Sequence, residues 1–197
     1  MAYHIHKTPG LILNITPSGE SNIFLIAFTR ELGLIKATAQ GARLVKSKLR
    51  YGIQKYEISQ LSFVYGKYTW RLTNAVPEYS TYYDSKENGM VTKIISNTCS
   101  LLQRLLVGEE KNAELFDLVI NGFTFLKNKA LSEKDLKHFE FLFILRILYN
   151  LGYVSGSGGL EILALGSIWN KKVIQDISDY RQEAVVAINR AILESQL

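Results

Sequence analysis

Cysteine is almost missing from this chain. Cys99 is the only one among 197 residues, so no intramolecular disulfide and no multi-cysteine zinc cluster can be built. It sits in an apolar, helix-spaced stretch, where a small buried thiol is expected rather than a nucleophile. Histidine is also scarce. His4 and His6 share one side of a candidate strand and only His138 remains, a set that reads as a solvated strand and predicts no metal and no cofactor. No apolar run reaches the roughly 18 residues a membrane-spanning helix needs. The nearest approach, Phe139 to Tyr149, is interrupted by Glu140 and Arg146. The start, MAYHIHKT, lacks a charged segment followed by an apolar core, so no secretory signal is expected; a cytoplasmic location is the default, with no membrane contact. Catalytic signatures are missing too: there is no H-E-x-x-H, no G-x-S-x-G and no phosphate-binding glycine framework. Gly156-Ser157-Gly158 reads as part of a flexible connector, and Glu109, Glu110, Asp176 and Asp179 as surface or helix-end charges. The chain is not expected to be an enzyme.

Carboxylates are absent from one place in particular. Between Glu31 and Glu57 lie Lys36, Arg43, Lys46, Lys48, Arg50 and Lys55, with no acid among them. The bases are spaced too irregularly for one helix face, so a loop is expected. Such a loop suits a phosphate backbone, because each neutralised phosphate releases condensed counterions. The imbalance belongs to the first part of the chain: residues 1–84 hold ten Lys and Arg against five Asp and Glu, whereas residues 85–197 hold thirteen of each. That predicts one basic module and one neutral one.

Periodicity separates the same two parts. Leu11–Thr16, Asn22–Thr29, Gly33–Ala39, Glu57–Tyr65 and Tyr68–Val76 are rich in β-branched and aromatic residues. Pro17-Ser18-Gly19-Glu20 and Gly66-Lys67 supply turns between strands. Five short strands in this span predict a small barrel, an OB-fold or, almost equally, an SH3-like one. The polar stretch Tyr82 to Gly89 reads as a linker. Beyond it, Val91, Ile94, Ile95, Thr98, Leu101, Leu102, Leu105 and Leu106 step by three and four, as an amphipathic helix does. Asn112 and Ser132 are placed to cap two further helices. The second of these is apolar almost all round from Phe139 to Leu151 and should lie at the centre of a bundle. Lys171 to Leu193 closes the chain as one or two helices. The expected class is therefore α+β, with a five-stranded OB-fold domain over 1–82 and an all-α domain over 88–197.

Aromatic residues lie close to the basic loop. Tyr65, Tyr68 and Trp70, beside the turn into the last strand, are candidates for stacking on bases. In the helical half Arg146 sits inside the apolar run Phe141–Leu148. Its charge must find a partner, snorkel to water, or stand at the lip of a groove to hold a partner's carboxylate.

Several short motifs, in order, resemble the RecO family of bacterial recombination mediators. They are Ser18-Gly19-Glu20-Ser21-Asn22, Phe28-Thr29-Arg30-Glu31-Leu32-Gly33, Gly41-Ala42-Arg43 with Lys46-Ser47-Lys48, and the helix end Leu151-Gly152-Tyr153 following Arg146. The resemblance spans roughly residues 10–153. It implies a non-enzymatic DNA-repair protein that binds single- and double-stranded DNA, anneals strands, and acts with RecR to load RecA on DNA coated by single-strand binding protein. It makes Arg43, Lys46 and Lys48 the family-matched DNA contacts. Lys36, Arg50 and Lys55 join them on charge alone. The acidic tail of single-strand binding protein would dock on the helical domain, with grooves near Arg104 and Arg146 as candidates. Two departures stand out. Gln40 occupies a position where the family often has lysine, and Val154–Asn170 contains none of the cysteines of the four-cysteine zinc module that many members carry there. A protein-interaction adaptor and an RNA-binding barrel are the alternative readings.

Overall fold

The computed structural model describes residues 4–80, 88–128, 130–155 and 158–194. The expected linker lies outside them as far as residue 87. The chain divides into two compact units, Met1–Glu87 with Ile95–Ala113, and Asn88–Ile94 with Glu114–Leu197.

The first unit is built on β1 (Ile5–Ser18), β2 (Asn22–Thr29), β3 (Gly33–Ala39), β4 (Glu57–Tyr65) and β5 (Trp70–Ser80). They close in a ring in the order β1-β2-β3-β5-β4. β1 serves both sides of the closure. Its residues Ile5–Leu11 pair with β4, and Gly10–Ser18 pair with β2. The ring is completed by a parallel seam between β3 and β5. This connectivity is that of an OB-fold, so the SH3-like alternative is set aside. β1 starts six residues before the expected Leu11. Pro9 and Gly10 lie at the corner where β1 changes partner. A Cβ on Gly10 would stand 2.5 Å from Leu61 Cδ1, so any side chain there would have to displace the buried Leu61.

Inward residues form one core that includes Ile12, Leu25, Ala27, Ile35, Ala37, Leu61, Phe63, Trp70 and Leu72. Ala42 and Ile53, from the β3–β4 connection, belong to the same core. The connection is therefore anchored near both ends by apolar burial, although most of its residues are polar. It contains one 3-10 turn, Lys48–Tyr51. Helix α1 (Gly89–Leu105) is capped by the Asn88 side chain, which accepts from the Met90 and Val91 N–H groups at 3.2 Å. The later part of α1 and the segment after it pack with the barrel. The Tyr56 and Ser96 hydroxyls lie 2.9 Å apart, and the Leu34 N–H donates to the Gly108 carbonyl at 3.2 Å.

The second unit contains α2 (Ala113–Asn128), α3 (Glu133–Asn150), α4 (Gly158–Leu165), α5 (Lys171–Asp176) and α6 (Arg181–Glu194), with a 3-10 turn at Ile177–Tyr180. Ser132 caps α3: its hydroxyl accepts from the Asp135 N–H at 3.2 Å and donates to the Asp135 carboxylate at 2.8 Å. As its all-round apolarity requires, α3 is central and packs against α4, α5 and α6. Helix α4 departs from the expected connector. Gly158 and Gly159 open a helix because Leu160, Leu163 and Ala164 can be buried there, and a Cβ on Gly159 would have to displace the Tyr180 hydroxyl end packed against it.

Candidate nucleic-acid interface

The β3–β4 connection turns its apolar residues in and its cations out. Ala42 and Ile53 are buried and Leu49 partly so, while Arg43, Lys46, Lys48, Arg50 and Lys55 are exposed. A lattice of hydrogen bonds fixes its first half to the β1–β2 turn. The Gly41 N–H donates to Asn22 Oδ1 at 2.9 Å and the Arg43 N–H to the Ser21 carbonyl at 2.9 Å. Arg43 Nη1 donates to the Gly19 carbonyl at 3.0 Å. At the far end the Ser59 hydroxyl donates to the Gly52 carbonyl at 2.8 Å, and Gly52 packs against the Ala75 backbone too closely to admit a Cβ. The loop is thus a fixed cap on one end of the barrel.

Among the described residues, none of these five cations, nor Lys36, makes an ion pair. The two acids nearest in sequence are occupied elsewhere. Glu31 lies 2.5 Å from Lys111 and 2.9 Å from Arg30. The Lys111 ammonium, with Arg30, holds the Glu31 carboxyl below the usual carboxylate range. Glu57 is buried. The cationic surface is therefore left to solvent.

The six expected cations are not equivalent. Arg43, Lys46, Lys48 and Arg50 ride on the cap. Lys36 stands on the outer face of β3, opposite Ile26, beside a cleft of about 300 Å³ shared with Leu106 and Glu109. Lys55 lies over the Tyr56 ring at 5.1 Å, at the end of the loop that approaches Cys99. The aromatic candidates divide as well. Tyr65 and Tyr68 are 50% and 75% exposed, whereas Trp70 is 7% exposed and donates its indole N–H to Glu109 at 2.7 Å. Trp70 is therefore a support for Tyr65, whose ring packs edge-on at 5.0 Å, and offers no free face of its own. Lys67 and Arg71, both exposed, were not singled out from sequence. Lys67 stands 5.1 Å over the Tyr68 ring, and Arg71 pairs with Thr38 across the β3–β5 seam. The signal for Arg71 was available: alternation that turns Trp70 and Leu72 inward turns Arg71 out.

Arg104 is exposed in the last turn of α1. Arg146 is only 1% exposed. Its Nε donates to the Leu163 carbonyl at 2.9 Å and Nη1 to the Ile168 carbonyl at 3.0 Å, and its guanidinium lies 4.3 Å above the Trp169 ring. Burial lowers its pKa to about 10. It ties α3 to α4 and to the segment that follows it rather than reaching a groove lip. His4 and His6 touch edge to face at 4.5 Å, and no cluster of three or more metal-ligating side chains occurs among the described residues.

Residues 1–78 match the family described as Recombination protein O N terminal. The chain is 31% identical over 149 residues to a DNA repair protein RecO of Heliobacterium modesticaldum, an alignment covering 76% of this chain and 52% of that one. Residues 1–78 therefore carry the N-terminal domain of the RecO family. A RecO of Clostridium novyi is 30% identical over 149 residues, with 76% of this chain and 57% of the relative covered. One from Alkaliphilus metalliredigens is 27% identical over 135 residues, covering 68% and 54%. The chain thus spans about half the length of the curated RecO relatives it matches. The motifs that suggested RecO now have structural roles. In Phe28–Gly33 the Thr29 hydroxyl donates to the Gly33 carbonyl at 2.9 Å and accepts from the Leu32 N–H at 3.1 Å. Gly33 adopts a φ of 68° and abuts the Glu110 backbone, where no side chain fits.

Proposed function

We propose that this chain is a RecO-family, non-enzymatic DNA-repair mediator of the cytoplasm whose barrel module, residues 1–82, binds single- and double-stranded DNA through its basic cap. The observation that carries this reading is the cap itself: Arg43, Lys46, Lys48 and Arg50, exposed and without ion pairs, on a loop locked to an OB-fold barrel. Lys36 and Arg71 extend the positive surface along the strand face. Tyr65 and Tyr68 offer sequence-tolerant stacking beside it. Neutralising two backbones at once lowers their mutual repulsion, which is the physical basis for promoting annealing. On the same reading the helical module, residues 88–197, supplies protein contacts, with RecR and the acidic tail of single-strand binding protein as partners and RecA loading as the outcome. Of the two arginines Arg104 is the exposed one, and it stands on the part of α1 that belongs to the barrel unit. No helix among the described residues is long and apolar enough to cross a membrane.

The test is fluorescence anisotropy with labelled single-stranded DNA over a range of salt. A logarithmic salt slope of roughly −3 to −4 is expected for four to six phosphate contacts on a single strand. The R43E/K46E/K48E variant should lose about a hundredfold or more in affinity, since each reversal removes one contact and adds a repulsion. Wild-type affinity in that variant refutes the assignment of the cap.

A further inference from the structure

The cap carries two side chains that neither the core nor the phosphate reading explains. Val45 is 84% exposed and Leu44 56%. The loop already delivers Ala42, Leu49 and Ile53 to the barrel interior, so these two are not unused core residues. Their positions are fixed. The Leu44 N–H donates to the Gly41 carbonyl at 3.1 Å and the Ser47 N–H to the Leu44 carbonyl at 2.9 Å, two tight turns in succession. Arg43 is tied at its backbone and its guanidinium to the β1–β2 turn just before them. An apolar pair is therefore held out in water on a rigid tip, with Arg43 just before it in the chain and Lys46 and Lys48 just after.

We propose that Leu44 and Val45 form a wedge that enters between neighbouring bases of the DNA held by those cations. This rests on the DNA-binding reading above and adds what the cap does to the strand. Base faces are the apolar surfaces that lie within reach of a phosphate-bound cation, and apolar side chains inserted at a base step unstack it. A wedge flanked by cations would open the step locally while the phosphates on either side stay neutralised. A lipid surface is the less suitable occupant. Two short side chains bury far less hydrocarbon than one myristoyl chain, which alone gives only marginal membrane attachment.

The experiment uses the full chain and a duplex carrying 2-aminopurine, whose emission rises on unstacking. Saturating wild-type protein should raise emission severalfold. The L44S/V45S variant should bind about three- to tenfold more weakly, with the same salt slope and no rise in emission, because only apolar burial is lost. L44M/V45I should keep the rise. Both positions are exposed, so thermal midpoints should match the wild type. Saturable binding by the wild type without any rise, or an equal rise with L44S/V45S, overturns the wedge alone. Absence of any salt-sensitive binding by the wild type removes the DNA reading first and the wedge with it. Sedimentation with phosphatidylglycerol vesicles that depends on Leu44 and Val45, alongside unchanged emission in L44S/V45S, would assign the tip to lipid instead.

Discussion

Three side chains show how a polar or aromatic group is accommodated once its surroundings are complete. Arg146 keeps its charge in the interior by spending its N–H groups on two main-chain carbonyls and its face on Trp169. Trp70 finds Glu109, 39 residues further on, for its indole N–H. His138 is less well served: it is 8% exposed and its Nδ1 has no hydrogen-bond partner among the described residues. Burial, followed by Lys134 and Arg181, holds its pKa below the ordinary histidine value, with Asp135 opposing. The unfolded chain then takes up a proton at a higher pH than the folded one. Its contribution to stability is present above the unfolded pKa of about 6.5 and is lost as pH falls through and below it. The urea midpoint followed by far-ultraviolet circular dichroism should drop between about pH 7.5 and about pH 5.5. His138→Phe should flatten that dependence, and an unchanged slope in the variant would assign it to other groups.

Among the elements, the basic cap shows how a charged surface is mounted on a fold. Its cations could be read as a loop directly from their irregular spacing and from the lack of acids around them. Its rigidity could not, because the anchors are non-local: Asn22 sits 19 residues before Gly41, and Ile53 enters a core made by five strands. Asn22→Ala removes the acceptor for the Gly41 N–H and should cost about 1 kcal/mol of stability. It should also weaken DNA binding by several-fold through loss of preorganisation, without changing the salt slope. Equal affinity in chemically stable Asn22→Ala protein would show that the cap orders itself on DNA. The turn at Thr29–Gly33 gives the opposite case. Its Phe-Thr-x-x-x-Gly spacing was visible in the sequence, and the structure supplies the reason in the bracing hydroxyl of Thr29 and the left-handed φ of Gly33.

At the scale of the molecule, the barrel draws on chain well beyond its last strand. Ser96, Gly108, Glu109 and Lys111 give hydrogen bonds or ion pairs to Tyr56, Leu34, Trp70 and Glu31. A fragment of residues 1–113 should therefore unfold in urea at a clearly higher midpoint than one of residues 1–82; equal midpoints would show those bonds to be dispensable. Net charge, the switch from a period of two to one near four, and the helix cap at Ser132 are properties of neighbouring residues, so the order of the residues alone determined them. It also determined which loop would carry the cations. Tertiary structure decided that β1 continues through Pro9 and Gly10 to meet two partners, that Arg146 is satisfied internally, and that Gly158–Leu165 coils into a helix. Each of these depends on surfaces contributed by residues far away in the chain, whose approach decides whether a side chain is covered, paired or left in water.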